Sequence, residues 1–170
     1  MNYGAFVGGT LHLAVALFED MAGVKATLVP YKGGGPALVD TVGGRIQMMI
    51  VPIVSAIGHI KDGRLRALGT SGTQRAPMLP DVPTIAEAGV AGYHYTTWYG
   101  LFAPAGTPKP VIDVLHQSAA KALAGADLRD KFALQGLEID AGSPDQLTAM
   151  LKSEVARWKK IIRAAKIQGE

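Results

Sequence analysis

An α/β fold built on a parallel sheet is predicted by three features of the first half of this chain. Short extended apolar runs alternate with single helical stretches, glycines stand at the junctions, and each helical stretch has the length of a crossover. Strands joined by single helices make right-handed crossovers and therefore lie parallel. The chain has 170 residues, 48% hydrophobic and 18% charged, which is enough for one full core and too apolar for a disordered chain. Its 21 glycines and 10 prolines mark many turns but stay below the level of low-complexity sequence.

The elements follow in order. Asn2 to Val7 is an apolar strand ending at Gly8-Gly9. Leu11, Ala14, Leu17, Phe18 and Met21 then recur at helical spacing, with Thr10 as the expected N-cap and Gly23 as the stop. Ala26 to Pro30 is the next strand. Gly33-Gly34-Gly35 turns the chain into a helix that is expected to begin at Pro36 and to end at Gly43-Gly44. Gln47 to Val51 reads as a strand, Ile53 to Lys61 as a helix, and Leu65 to Thr70 as another strand.

A proline-marked connection (Pro77, Pro80, Pro83) leads to Thr84-Ile85-Ala86-Glu87, which has the pattern of a capping box before a short helix closed by Gly89. Tyr93 to Ala103 is predicted as an aromatic strand in which Trp98 and Tyr99 read as core. Beyond it, Val111, Leu115, Ala119 and Leu123 share a helix face, a shorter helix covers about 128–134, and Leu137 to Asp140 reads as a small strand. Ser143-Pro144-Asp145-Gln146 opens a last helix whose apolar face runs from Leu147 to Ile162. This second half has three helices and too few strands to cover them. The reading is therefore of a truncated protein, with pieces of one lobe expected before Met1. The unpartnered helix faces also predict a homodimer or an exchanged element.

Several function classes fall away. Seventeen basic against 14 acidic residues leave a net charge of +3, too little for a phosphate-tracking surface, so no nucleic-acid partner is expected. Without cysteine there is no disulfide, no thiolate catalysis and no zinc–thiolate site. No apolar run reaches the ~20 residues of a membrane-spanning helix. As written, the start carries no basic region followed by an apolar stretch, so no signal peptide is read there. The four histidines (His12, His59, His94, His116) lack ligand-spaced companions, and neither a metal nor a cofactor is expected. No Gly-x-Ser-x-Gly elbow occurs, and carboxylates such as Asp40, Glu87 and Asp113 are isolated on helices. Catalysis has no nucleophile, base or metal to stand on.

What remains is a set of turns. Val7-Gly8-Gly9-Thr10, Tyr31-Lys32-Gly33-Gly34-Gly35 and Val51-Pro52 each follow a predicted strand, which places them on the carboxyl edge of a parallel sheet, where α/β proteins bind ligands. Two of them open helices without bulky side chains in the way, leaving main-chain amides and the helix dipole for a carboxylate or phosphate. The alternative is that these glycines only make tight turns. Neither a P-loop nor a Gly-x-Gly-x-x-Gly dinucleotide site matches. His12, in the first turn of its helix, suits either a hydrogen bond to a ligand or a capping and packing role.

Five blocks of the sequence resemble a known family. They are Asn2-Tyr3-Gly4 with Val7-Gly8-Gly9-Thr10-Leu11-His12, Val29-Pro30-Tyr31-Lys32-Gly33-Gly34-Gly35-Pro36-Ala37, Arg66-Ala67-Leu68, Leu79-Pro80-Asp81-Val82-Pro83-Thr84, and Trp98-Tyr99-Gly100-Leu101-Phe102-Ala103-Pro104-Ala105-Gly106-Thr107-Pro108. Together they are similar to the tripartite tricarboxylate transporter receptors, the Bug-type periplasmic solute-binding proteins.

The resemblance implies a two-lobed, type II periplasmic-binding fold that closes over a small carboxylate by hinge motion. One parallel-sheet lobe would be nearly complete here, residues 1–95 being the second, inserted lobe. Residues 96–170 would be the helical C-terminal part of the first lobe, without its N-terminal strands. It also implies a periplasmic location and the membrane components of the transporter as partners. Carried over by position, the ligand-binding residues would be Gly8, Gly9, Thr10 and His12, with Tyr31, Lys32, Gly33 and Gly34 beside them. Two departures stand out. The family usually shows Ser where Gly9 stands, and often an Asp-Asn pair where Val51-Pro52 stands, so an apolar wall replaces a polar one and amino-acid ligands are disfavoured. The rival reading is a stand-alone interaction or scaffolding domain without a ligand.

Overall fold

A computed structural model describes residues 1–165 and 167. The chain divides into two compact units, one of Met1–Thr97 joined by the chain from Trp158 onward, the other of Trp98–Arg157.

In the first unit, β1 (Asn2–Ala5) pairs in parallel with β2 (Thr27–Pro30), with Tyr3 opposite Leu28 and Ala5 opposite Pro30. The ladder is continued by Thr27 N–H donating to Met1 O at 2.9 Å and by Tyr31 N–H donating to Ala5 O at 3.0 Å. On the other edge of β1, Tyr3 bridges in parallel to Met48, and Gln47 N–H donates to Asn2 O at 3.2 Å. β1 and β2 thus form a two-stranded parallel sheet, extended beside β1 only by the single bridge at Met48.

Both faces of β1 are covered, as parallel strands require. On one face Tyr3 and Ala5 cluster with Val15 and Leu11 of α1 (Thr10–Ala22). On the other, Gly4 lies under α2 (Gly34–Val42). A Cβ at Gly4 would come within 2.9 Å of Ala37 Cβ and 2.8 Å of Ile46 Cδ1, and Ala37 is fully buried. Only a glycine lets the helix approach this closely.

The starts of α1 and α2 differ from expectation. Gly9, not Thr10, is the N-cap of α1, because Leu13 N–H already bonds to Gly9 O at 3.1 Å. Pro36 stands third in α2 rather than first; its missing N–H is still one of the first-turn donors that lack a helical partner, so it costs no bond there. Gly23 ends α1 in the left-handed region (φ 66°), as predicted. α3 (Ile53–Lys61) has the predicted limits.

The remaining predicted strands do not form. Gln47 to Val51 touches the sheet only at Met48, and at Thr70 a single parallel bridge joins Thr84, leaving Leu65 to Gly69 without a ladder among the described residues. Leu68 is 68% exposed there, since no neighbour strand draws it inward. The Thr84–Glu87 capping box exists, with Thr84 N–H donating to Glu87 Oε2 at 2.7 Å and Glu87 N–H to Thr84 Oγ1 at 3.0 Å, but it closes one turn and not a helix. Tyr93 to Ala103 has no strand pairing either. Tyr93 and Tyr95 instead bury themselves against Ala14, Leu17 and Ile161, and the Tyr93 hydroxyl donates to Ala14 O at 3.0 Å. Trp158 meets Tyr95 edge-on at 5.6 Å.

The second unit holds α4 (Lys109–Leu123), α5 (Ala126–Leu134) and the larger part of α6 (Pro144–Ala164). The box predicted at Ser143 is present: Ser143 N–H donates to Gln146 Oε1 at 2.7 Å, and Gln146 N–H donates to Ser143 Oγ at 3.2 Å. Leu137 to Asp140 forms no strand. No residue of α4 or α5 is buried, and Val114 is 63% exposed. No described helix is long and apolar enough to cross a membrane.

Gly4→Ala should lower the unfolding free energy by about 1–3 kcal/mol through overpacking, read as a lower urea midpoint. Gly35→Ala, whose added Cβ meets nothing within 4 Å, should not destabilise the chain. Equal midpoints for Gly4→Ala and the unmodified chain would disprove the tight α2–β1 contact.

Candidate functional site

Because β1 and β2 are adjacent and parallel, the turns that leave their carboxyl ends share one edge of the sheet. The first turn runs from Phe6 to Gly9, where Gly9 N–H donates to Phe6 O at 3.0 Å and Gly8 adopts φ 72°. The second runs from Tyr31 to Gly33. Each delivers the chain to the start of a helix, α1 and α2 respectively.

Neither helix start is capped by a side chain, and neither carries an acidic residue in its first turn. The amides of Thr10, Leu11 and His12 find no acceptor among the described residues, and neither do those of Lys32, Gly33, Gly34 and Gly35. Uncapped first-turn amides carry the positive end of a helix dipole. Between these two starts lies an open cleft of about 360 Å³ lined by Phe6, Gly9, Thr10, Leu11, Lys32, Gly33 and Gly34. Two positive helix ends, a lysine side chain and two apolar walls suit a small organic anion with a hydrocarbon body.

The eight residues singled out from the sequence fall into two groups. Gly9, Thr10, Lys32, Gly33 and Gly34 line the cleft. Gly8, His12 and Tyr31 stand beside it and are engaged elsewhere. Gly8 N–H donates to His12 Nδ1 at 3.0 Å, and the half-buried imidazole lies 6.2 Å from the Tyr3 ring. Burial holds the His12 imidazole below its usual value, with the Glu19 carboxylate opposing the shift. Burial likewise pushes the Tyr3 phenol up to about 12.

The Tyr31 hydroxyl donates to Asp40 Oδ2 at 2.7 Å, and Arg45 reaches Asp40 Oδ1 at 2.7 Å. Tyr31 thus ties the turn that opens α2 to the last turns of the same helix. The Val51-Pro52 turn is not part of the cleft lining.

Sequence reading missed Phe6 and Leu11. Leu11 lies in the apolar stripe of α1 and reads as core, which it also joins. Phe6 reads as the tail of a strand. Their position flanking the Gly8-Gly9 turn is the signal that could have found them.

A parallel α/β core thus places two uncapped helix starts on one cleft. The chain matches the family described as "Tripartite tricarboxylate transporter family receptor" over residues 1–167, and it belongs to that family. It is 43% identical over 159 residues to the "UPF0065 protein in tcbD-tcbE intergenic region" of Pseudomonas sp. strain P51, spanning 93% of this chain and 47% of that protein.

Among solved structures it is similar to "R. palustris Rpa4515 with adipate" (TM-score 0.83, 36% identity, 98% of this chain and 56% of that one). It is also similar to the "periplasmic binding protein BugD" (TM-score 0.81, 30% identity, 100% and 58%). A third is "MatC (Rpa3494) from Rhodopseudomonas palustris with bound malate" (TM-score 0.75, 32% identity, 95% and 56%). The α/β fold is thus of the periplasmic-binding-protein kind that the resemblance implied, and the chain spans about half the length of these proteins.

The Asp40 carboxyl is held below the usual carboxylate range, first by the Tyr31 hydroxyl and then by Arg45. A depressed carboxylate contributes stability that is present above its unfolded value and lost as pH falls through the folded one. Tyr31→Phe should therefore raise the Asp40 pKa in an NMR titration and weaken the loss of stability on acidification below about pH 4. An unchanged Asp40 titration would mean the hydroxyl bond contributes nothing.

Proposed function

We propose that this chain is the carboxylate-holding jaw of an extracytoplasmic solute-binding receptor for a tripartite tricarboxylate transporter. In this reading residues 1–95 form the second lobe and residues 96–170 the C-terminal part of the first. The observation that carries it is the convergence of two uncapped helix starts and Lys32 on one cleft. Thr10, Gly33 and Gly34 hold the carboxylate through main-chain amides, Gly9 lines the cleft with its own N–H bonded to Phe6 O, and Lys32 adds a charge-assisted bond.

Two of the similar solved structures carry the dicarboxylates adipate and malate, which favours a dicarboxylate here. Phe6 and Leu11 supply the apolar contact that its methylene chain needs. The role is capture and not turnover. The compartment is the periplasm, and the partners are the transporter's membrane components.

Adipate added to the ¹⁵N-labelled chain should move the amide resonances of Thr10, Leu11, His12, Gly34 and Gly35 together, in the millimolar range expected of one jaw. Neutral adipamide should not. Lys32→Met should weaken the response roughly tenfold, the loss of one hydrogen bond to a charged group. Shifts scattered over other surfaces, or none at these amides, would remove the receptor reading and favour the scaffolding one.

The exposed apolar residues of the Trp98–Arg157 unit, Val114, Leu115, Met150 and Val155 among them, support self-association. Light scattering should give the mass of a dimer. A monomer at all concentrations would count against it.

A further inference from the structure

The turn that follows β1 is held by a side chain as well as by backbone. Gly8 sits in the left-handed region, and its N–H donates to His12 Nδ1 at 3.0 Å. An imidazole nitrogen accepts a hydrogen bond only when it carries no proton, so this contact selects the neutral ring with its hydrogen on Nε2. His12 also carries the third of the unpartnered amides at the start of α1, while its ring does not line the cleft. One residue thus contributes a main-chain amide to the helix start and fastens the loop that leads into it.

We propose that His12 is a positioning residue that acts as a proton-operated latch on the Phe6–Thr10 turn. In its neutral form it fixes Gly8, and through Gly8 the turn that presents Gly9, Thr10 and Leu11 to the cleft. On protonation Nδ1 changes from acceptor to donor, meets the Gly8 N–H donor to donor, and releases the turn.

Two titratable groups face the ring among the described residues: Tyr3 from β1 and Glu19 from farther along α1. The Tyr3 phenol, pushed up to about 12, stays neutral across the working range. Glu19, whose Oε1 also accepts from Ala26 N–H, favours the imidazolium, but burial outweighs it and keeps the neutral, latched form in place at neutral pH. Between Phe6 and Gly9 the turn itself carries no titratable side chain. The consequence for binding, a cleft that loses its grip on a carboxylate as pH falls, rests on the receptor reading above. The latch itself does not.

The test is amide hydrogen exchange and NMR titration on the 170-residue chain. The protection factor of Gly8 should fall about fivefold as His12 titrates, the equilibrium equivalent of one neutral hydrogen bond, while Leu17 in the middle of α1 reports that the fold is intact. His12→Asn, whose side-chain oxygen stands near the place of Nδ1, should keep Gly8 protected at every pH. His12→Leu should lose the protection at every pH. A Gly8 protection factor that stays flat through the His12 titration, or a step that persists in His12→Asn, overturns the latch.

Adipate titrated across the same range separates the two ideas. A Gly8 step with no adipate response at any pH refutes the receptor reading and leaves the latch standing. A Gly8 step with adipate affinity that does not fall on acidification overturns the latch's control of the cleft.

Discussion

The close approach of α2 to β1 at Gly4 is the contact on which the rest of the cleft edge depends. A parallel strand must be covered on both faces, and here α1 covers one and α2 the other. With a side chain at Gly4, Ala37 and Ile46 would be driven outward, and the start of α2 would move with them. Because β1 and β2 are also neighbours in the ladder, their outgoing turns emerge side by side, and two helix starts meet at one cleft. Gly4, which does not line the cleft, thereby sets the spacing of the groups that do.

The same edge is electrostatically unfinished. An N-cap side chain stabilises a helix by about 1 kcal/mol, yet α1 and α2 begin at Gly9 and Gly33 with no such cap and with no carboxylate in the first turn. Stability available from capping is left unused at the two places where a bound anion would supply it. Reciprocal boxes form at Thr84–Glu87 and Ser143–Gln146, while α3, α4 and α5 also start without a side-chain cap. Tyr31, bonded to Asp40, stiffens the second turn from behind, much as His12 does the first.

Helices were the most legible elements. The periodic apolar stripes of α1, α4 and α6, the limits of α3 and the glycine at the end of α1 correspond to what folds, because a helix satisfies its own backbone bonds within the segment. Strands were less legible, since a strand exists only where a neighbour takes up its hydrogen bonds. Gln47–Val51, Leu65–Thr70, Tyr93–Ala103 and Leu137–Asp140 have strand-like composition, but of these only Met48 and Thr70 make even single bridges. Tyr93 and Tyr95 show the other half of the reason: buried against α1, they serve as core without a ladder.

For the candidate site, the residue types in the sequence determined which segments end strands, which begin helices, and that neither helix start carries an acidic side chain in its first turn. Those properties are local, set by glycine, proline and the absence of acidic side chains within a few positions. That Gly9 and not Thr10 caps α1 came from the structure. Only the tertiary structure decided that Gly9, Thr10, Lys32, Gly33 and Gly34 face one cleft with Phe6 and Leu11, while Gly8, His12 and Tyr31 turn to neighbours of their own. The direction of a side chain depends on which strand lies alongside and how near a helix can come. Both are long-range packing outcomes that no short window of sequence contains.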